Sequence, residues 1–466
     1  MIEGLKPYAD NQESGERWIG EIPASWQLRR AKFLFREIDE RSKTGKEELL
    51  SVSHKTGVTP RSQKSVTMFL AESNVGHKIC RPQDLVINTL WAWMAALGVS
   101  RHTGIVSPAY GVYRLLDPEK FLPRFADLLL RTPMYAGEYQ RRSTGVNSSR
   151  LRLYAEYFFR IPILLPSPDE QAAIVRFLDH ANRKIDGFIR AKRKLIGLLN
   201  EQKQAIIHRA VTRGLDPNTK LKPTGIPWLG EIPAHWEMWR ISRFARVGNG
   251  STPSRGRPTY WNGGTYPWLN SSQVNRGFID SADQFVTESA LRECHLPKVP
   301  AGSVLVAITG QGKTRGLSAV LGIEATINQH IAFITPRSPV CSPDFIHLAL
   351  TAAYLQLRAS SDDAGSTKGA ITCEDLKHFK LPVPPRPEQE AILCEVRDET
   401  SAVTTAIART EREIALMQEY RTRLTADIVT GKLDVREAAA KLPEEAEEVI
   451  EADISEDESE LEEIES

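Results

Sequence analysis

Trp18-Ile-Gly-Glu-Ile-Pro-Ala-Ser-Trp26 and Trp228-Leu-Gly-Glu-Ile-Pro-Ala-His-Trp236 are two copies of one motif, 210 residues apart in a chain of 466. Two further matches lie downstream, both offset by 218. Glu170-Gln171 with Ala173-Ile174 returns as Glu388-Gln389 with Ala391-Ile392, and Val211-Thr212 with Leu215-Asp216 returns as Val429-Thr430 with Leu433-Asp434. A period of more than ~200 residues is too long for a solenoid repeat. It describes a domain and a connector, each present twice.

The connector reads as a long helix. Ser167-Pro168-Asp169-Glu170 has the form of an N-cap, a proline at the first helical position and a capping-box glutamate. Gly214 is the stop signal. Between them Leu178, Ile185, Ile189, Ile196, Leu199 and Ile206 follow spacings of three, four and seven. Adding 218 carries this set onto Val396, Val403, Ile407, Ile414, Met417 and Leu424, and Ile428 extends the second copy. This is the seam of a coiled coil. At ~1.5 Å per residue each helix is on the order of 65 Å long. Residues 168–213 carry a net charge of +5 and residues 387–430 a net of −4, which favours pairing of the two helices with each other. Gly187 and Gly197 each weaken the first helix by ~1 kcal/mol relative to Ala, so packing must compensate.

The regions before the helices, about 27–160 and 237–380, differ in pattern. Strand-like runs such as Asp84-Leu-Val-Ile-Asn88 and Ser303-Val-Leu-Val-Ala-Ile308 alternate with turn clusters such as Asn249-Gly-Ser-Thr-Pro-Ser254 and Asn262-Gly-Gly264. The expected fold class is α/β (mixed α+β). It comprises two globular domains separated by two long antiparallel coiled-coil helices, a pseudo-two-fold internal repeat and a disordered acidic C-terminal tail. The expected boundaries are 1–166, 167–214, 215–385, 386–437 and 438–466. The tail follows from composition: residues 441–466 hold thirteen acids and one lysine, and they cannot bury a core.

The formal net charge of +1 conceals this asymmetry. The tail contributes −12, leaving +13 on residues 1–440 and +12 on the part of the chain outside helices and tail. A body of that sign suits a polyanion. One expectation is that the tail competes with such a partner for the basic domains. Cys80, Cys294, Cys341, Cys373 and Cys394 form no CxxC pair, which excludes a disulfide framework and a cysteine-rich zinc site and fits a reduced, cytoplasmic location. No apolar run approaches the ~18 residues of a membrane span, and the first thirty residues, charged and interrupted by Pro23, do not read as a signal peptide.

Enzyme motifs are weak. Ala307-Ile-Thr-Gly-Gln-Gly-Lys-Thr314 follows an apolar strand and fits a relaxed phosphate loop, but Arg315-Gly-Leu-Ser-Ala-Val-Leu-Gly322 reads as a turn into another strand. A phosphate loop needs a helix there. Asp169 and Glu201-Gln-Lys203 lie too far apart on one helix to converge as a nuclease site. No Asn/Asp-Pro-Pro-aromatic motif for amino methylation occurs, and the ten histidines show no metal-ligand spacing. No catalytic residue and no metal ligand is expected. Basic, polar and aromatic residues near turns carry a binding signature instead. In the first domain these are Lys55, Arg61, Lys64, Trp91, Arg101, Tyr110, Arg141, Arg142 and Arg150, with Trp93 beside them. In the second they are Ser251, Thr252, Arg255, Arg257, Tyr260, Trp261, Gln273, Arg276, Gln311, Lys313, Arg315, Gln329 and Lys368. Lysine and arginine neutralise phosphates, while arginine and glutamine also read base edges.

The order of these features resembles the specificity subunits of type I restriction–modification systems. The resemblance spans about residues 15–435. It rests on the duplicated Trp-x-Gly-Glu-Ile-Pro-x-x-Trp motif and on Gly250-Ser-Thr-Pro-Ser254 followed by Tyr260-Trp-Asn-Gly-Gly264 and Pro267-Trp268. Gly104-Ile-Val-Ser-Pro-Ala-Tyr110, Thr326-Ile-Asn-Gln329, Pro166-Ser-Pro-Asp-Glu-Gln171 and Leu381-Pro-Val-Pro-Pro-Arg-Pro-Glu-Gln389 complete the pattern. The acidic extension beyond about residue 438 departs from it.

The resemblance implies two target-recognition domains, each reading one half of an asymmetric bipartite site in double-stranded DNA. Half-sites about one helical turn apart, ~34 Å, suit such a pair. It implies that the helices set the spacer and dock two methyltransferase (modification) subunits, which restriction (translocase–nuclease) subunits then join. No cofactor is implied in this chain; S-adenosylmethionine, ATP and Mg belong to the partners. Three alternatives remain open: a specificity subunit serving a fused nuclease–methyltransferase, a coiled-coil protein adaptor, and a nucleotide-binding protein using residues 307–314.

Overall fold

The computed structural model describes residues 5–63, 73–145, 151–310, 313–362 and 369–443. The contacts divide the chain into two units, one built from residues 1–191 with 413–466 and the other from residues 192–412. The long helices are α1 (Pro168–Arg213) and α2 (Arg386–Val429), and each contributes one half to each unit. The tail expected to be disordered from residue 438 begins instead with a short helix, Arg436–Ala440, whose Ala439 is buried in the first unit; residues 444–466 lie outside the described residues.

α1 and α2 pack together along the expected seam. Leu178, Ile185, Ile189, Val396, Val403, Leu424 and Ile428 are buried, while Ile196, Leu199, Ile206, Ile407, Ile414 and Met417 are half-buried. Polar residues interrupt the same three–four spacing. The Thr400 and Thr410 hydroxyls donate to the Val396 and Ala406 carbonyls one turn back, at 2.6 and 2.7 Å, so burying them leaves no donor unsatisfied. In the second unit Lys203 Nζ donates to Thr404 Oγ1 at 3.2 Å and Arg209 Nη2 donates to both Glu399 oxygens at 2.8 Å. Numbers rise on α1 as they fall on α2, so the helices run antiparallel. In the first unit the polarity of the ion pair reverses, with Arg421 of α2 on Asp186 of α1. Exposed pairs of this kind contribute about 0–1 kcal/mol each. The net charges of the helices are therefore a weak determinant of their pairing, and the apolar seam is the strong one.

The duplicated tryptophan motif forms a hairpin in each unit, Asn11–Glu13 with Glu21–Pro23 and Leu221–Pro223 with Glu231–Pro233. The second tryptophan of each motif is buried and does the joining. Trp26 Nε1 donates to Glu170 Oε1 at 3.0 Å, at the start of α1, while its ring covers Gly431, just past the end of α2. Trp236 Nε1 donates to Glu388 Oε2 at 2.7 Å, at the start of α2, while its ring covers Gly214, just past the end of α1. Both glycines have positive φ, +80° and +70°, and a Cβ on either would sit 3.2 Å from the indole. Glycine is the residue that ends a helix in this conformation without a steric penalty.

One expectation needs correcting here. Ser167 Oγ accepts from the Glu170 amide at 3.3 Å, but the Glu170 carboxylate does not close a capping box. It accepts from Trp26 and, at 2.6 Å, from the Tyr8 hydroxyl, because two buried donors compete for it more strongly than the exposed helix end does. The neighbouring glutamine is a second fastening. Gln171 is buried, accepts from the Leu122 amide at 2.8 Å and donates to the Lys120 and Pro166 carbonyls at 2.9 Å. Gln389 accepts from the Ser342 amide at 2.9 Å and donates to the Val340 and Pro384 carbonyls at 2.7 and 2.9 Å.

Each unit carries a sheet of the same topology. In the first unit the strands β1 (Phe35–Glu37), β2 (Asp84–Ile87), β3 (Leu97–Val99) and β4 (Gly111–Leu115) lie in the antiparallel order β1-β4-β2-β3. In the second, β5 (Ala245–Asn249), β6 (Phe278–Ile279), β7 (Ser303–Ala307), β8 (Ser318–Leu321) and β9 (Ile331–Pro336) lie in the order β5-β9-β7-β8-β6. The second sheet repeats the first and adds β6, paired parallel to β8. The topology does not favour the phosphate-loop alternative: among the described residues β7 is followed in sequence by antiparallel β8, where a phosphate loop needs a helix.

Replacing Gln171 or Gln389 by alanine removes the partner of one amide and two carbonyls that lie in buried or part-buried positions. Each unsatisfied group costs about 1–3 kcal/mol, so a loss of ~3 kcal/mol or more is expected for each variant. Denaturant titration of Gln389→Ala against the parent chain checks it, and an unchanged midpoint contradicts the fastening role.

Candidate nucleic-acid interface

At one end of each sheet two connections meet and are tied by a threonine. In the first unit these are residues 88–96, between β2 and β3, and the turn 107–110 before β4. Thr89 Oγ1 donates to the Ala109 carbonyl at 2.9 Å and Asn88 Nδ2 donates to the Tyr110 hydroxyl at 3.1 Å. In the second unit they are residues 308–317, between β7 and β8, and the turn 328–330 before β9. There the Ile308 amide donates to the His330 carbonyl at 2.9 Å, and Thr309 Oγ1 lies 2.7 Å from His330 Nδ1. The sequence holds no acidic residue from Leu85 to Leu116 or from Cys294 to Ile323.

The second edge is polar. Loop 250–256 joins it through the Ser251 amide, which donates to the Ile327 carbonyl at 3.0 Å. A side chain on Gly250 would overlap that carbonyl oxygen, so the close approach requires glycine. Thr252 Oγ1 donates to Gln329 Oε1 at 2.5 Å, and Gln329 Nε2 lies 3.1 Å from His330 Nε2. An amide nitrogen can only donate, so His330 Nε2 accepts and its Nδ1–H donates to Thr309. Four side chains thus form one continuous hydrogen-bonded chain. Beside it Arg255 lies over Trp261 at 3.8 Å and Trp268 at 5.1 Å, and its Nη2 donates to Gln284 at 2.7 Å. The structure therefore gathers Ser251, Thr252, Arg255, Trp261 and Gln329.

Other sequence-stretch candidates in this unit are engaged elsewhere. Arg257 donates to the Tyr260 hydroxyl at 2.7 Å, and that hydroxyl donates to Glu293 at 2.8 Å. Arg276 pairs with Asp283 at 3.0 Å. Gln273, 2% exposed, caps its own short helix by accepting from the Asn270 amide. Arg315, expected on the surface of a glycine-rich hairpin, is only 4% exposed. The reason lies in residues 354–358: the Tyr354 hydroxyl donates to the Lys313 carbonyl at 2.7 Å and Arg358 Nη1 donates to the Arg315 carbonyl at 3.4 Å, fastening the loop inward. Lys313 remains exposed. Gln311 and Lys368 lie outside the described residues.

The first edge is aromatic. Trp91 stacks on Trp93, with centroids 6.0 Å apart and planes 18° apart. Burial pushes the Tyr110 hydroxyl up in pKa, and the positive charge of Arg61 opposes this. Arg101 follows β3 and Lys55 lies in the turn between Leu50–Ser53 and Gly57–Pro60, each at the far end of its hairpin from this edge. Arg141 and Arg142 both pair with Glu138, whose side chain is buried. Lys64 and Arg150 lie outside the described residues. Sequence reading missed Asn88, Thr89, Thr309 and His330. The signal was present as a third repeat, since Thr89 and Thr309 stand 220 residues apart after matching strands.

Among the described residues no group of three or more His, Cys, Asp or Glu could hold a metal ion, and no helix is long and apolar enough to cross a membrane. Residues 233–404 match the family described as type I restriction modification DNA specificity domain. The specificity subunit of the Escherichia coli type I restriction enzyme EcoR124I/EcoR124II is 27% identical over 264 residues, which cover 56% of this chain and 60% of that one. The chain is similar to type I restriction–modification specificity subunits. It spans about 60% of the length of that E. coli specificity subunit. The alignment with the MjaIX specificity subunit of Methanocaldococcus jannaschii, 29% identical over 177 residues, covers 37% of this chain and 39% of that one. The putative MjaX specificity subunit of the same organism is 21% identical over 454 residues, 90% of this chain and 96% of that one. A solved chain from work on complex assembly and conformational transition of the type I R-M system has a TM-score of 0.58 at 16% identity, covering 88% of this chain and 98% of that one, a likeness of fold.

The Glu138 cluster gives the first unit an acid-sensitive element. Burial opposes ionisation of Glu138, but hydrogen bonds from Arg141 and Arg142 outweigh it and hold the carboxyl below its ordinary value. A lowered folded-state value means that the stabilisation is complete above the unfolded-state value, ~4.3. It is lost as pH falls through the lower folded value. Glu138→Gln should therefore unfold at a lower temperature than the parent at pH 7, with the difference shrinking below about pH 4. Thermal unfolding followed across that range checks the sign.

Proposed function

We propose that this chain reads DNA sequence for a type I restriction–modification assembly, each unit reading one half of an asymmetric bipartite site. The observation that supports it most directly is the pairing of equivalent scaffold with unlike chemistry. The same end of two sheets of matching topology presents Trp91, Trp93 and Tyr110 in one unit and Thr252, Gln329, His330 and Arg255 in the other. Two equal halves of a site would call for like side chains. The antiparallel α1–α2 pair sets the spacer between half-sites.

In this reading the chain positions and its partners react. Methyltransferase subunits bind S-adenosylmethionine and transfer the methyl group to an adenine flipped from the stack. Translocase–nuclease subunits bind ATP and Mg. The long helices also offer two equivalent docking points. Leu198 on α1 and Leu416 on α2 are 218 residues apart, 53% and 58% exposed, one in each unit. Leu416 borders a groove of about 480 Å³ with Leu5, Tyr420 and Leu433 on its walls. A duplicated apolar point fits two copies of one partner, so these leucines are where two methyltransferase subunits dock.

Co-expression with the methyltransferase subunit, followed by methylation-aware sequencing, tests the function. One bipartite asymmetric motif is expected. A variant with four residues inserted after Leu195 and after Ile414 should keep both half-sites and lengthen the spacer; absence of any methylated motif, or an unchanged spacer, contradicts the reading. Leu198→Glu and Leu416→Glu should each reduce the methyltransferase stoichiometry from two to one, measured by light scattering of the purified complex.

A further inference from the structure

The loops 88–96 and 308–317 leave equivalent strands, but only the first ends in stacked indoles. Trp91 is 52% exposed although it sits on a rigid base. Its amide donates to the Asn88 carbonyl at 3.0 Å, and its own carbonyl accepts from the Met94 amide at 3.0 Å and the Ala96 amide at 3.2 Å. Ala92 beneath it is buried, and Ala95 closes the loop with φ of +57°, in the left-handed region that a non-glycine residue enters at a steric cost. Trp93 Nε1 donates to the Leu90 carbonyl at 3.1 Å, which fixes the second ring. One face of the Trp91 indole is thus covered by an immobile ring, and the rest of it faces outward.

Its surroundings narrow the choice of occupant. The stretch from Leu85 to Leu116 holds no acid, and the positive charge of Arg61 acts on Tyr110. The Tyr110 hydroxyl accepts from Asn88, so its own proton is free for an outside acceptor. An exposed, flat π-face beside a hydroxyl donor matches a nucleobase.

We propose that Trp91 stacks against a base of the half-site read by the first unit and wedges that base step open. This rests on the DNA-reading function above and deepens it. The two units then differ in how they read. The second uses a hydrogen-bonded chain suited to base edges. The first senses how readily one step unstacks, which favours a flexible pyrimidine–purine step. The wedge is preformed: the stack on Trp93 and the left-handed turn hold the indole outward before DNA arrives.

The test uses the full chain co-purified with its methyltransferase subunit and duplexes carrying 2-aminopurine at successive positions of the mapped site. The parent complex should raise fluorescence at one step of the first half-site, distinct from the methylated adenine. Trp91→Ala should abolish that rise and weaken binding roughly tenfold or more. Trp91→Phe should retain most of both, and its retention shows that an aromatic face rather than folding is at issue. If Trp91→Ala binds like the parent and gives the same fluorescence, the wedge is wrong. If it instead lowers the methyltransferase content of the complex, the indole is a protein contact and the proposal also falls. If the parent complex binds no site at all, the DNA-reading function fails, and the wedge fails with it.

Discussion

In each unit a single buried indole ties the first turn of one long helix to the last turn of the other. Trp26 reaches Glu170 and Gly431, and Trp236 reaches Glu388 and Gly214. A helix leaves several backbone groups unsatisfied at each end, and two helices side by side have no intrinsic reason to stop together. The indole supplies one. Its N–H takes up a carboxylate at one helix start, and its ring packs on the positive-φ glycine that ends the other helix. Antiparallel pairing is thereby fixed where one helix starts and the other stops.

The buried glutamines extend that constraint into the globular part. Gln171 and Gln389 each satisfy one amide and two carbonyls of the chain that packs on the helix. Both glutamine side chains are buried, so the loss of these bonds is costly, whereas the ion pairs along the helices are exposed and contribute little. The rigid elements of each unit are the junction and the sheet. The elements that differ between units are the loops at one sheet end, where no shared packing demand restricts the side chains. This separates the part that must stay the same from the part that can vary.

The architecture was legible because duplication writes the same physical demand twice. The motif copies at Trp18 and Trp228, the helix starts and the seam were all visible at a fixed offset, and the helices run over residues 168–213 and 386–429 as the spacing indicates. The site was less legible. A basic residue in a turn looks the same in sequence whether it faces outward or is drawn inward. Arg315 is buried because two residues some forty positions later hold its loop, and Gln273 is consumed by its own helix cap. Glu170 misled for a related reason: its capping-box spacing is real, but Tyr8 and Trp26, distant in sequence, claim the carboxylate. Each miss involves a long-range partner that local pattern does not encode.

The division of the chain also has a consequence for how the molecule comes into being. The second unit is one continuous stretch, residues 192–412, whereas the first joins residues from both sides of it. During synthesis Trp26 is made about 400 residues before the Gly431 it will cover. At translation rates of roughly 5–20 residues per second it waits tens of seconds for its partner. The second unit has all its parts by then, including Trp236, Glu388 and Gly214. The first unit therefore gains its last part only after the second has all of its own, and in the interval the apolar face of its helix segment lacks α2 as a cover.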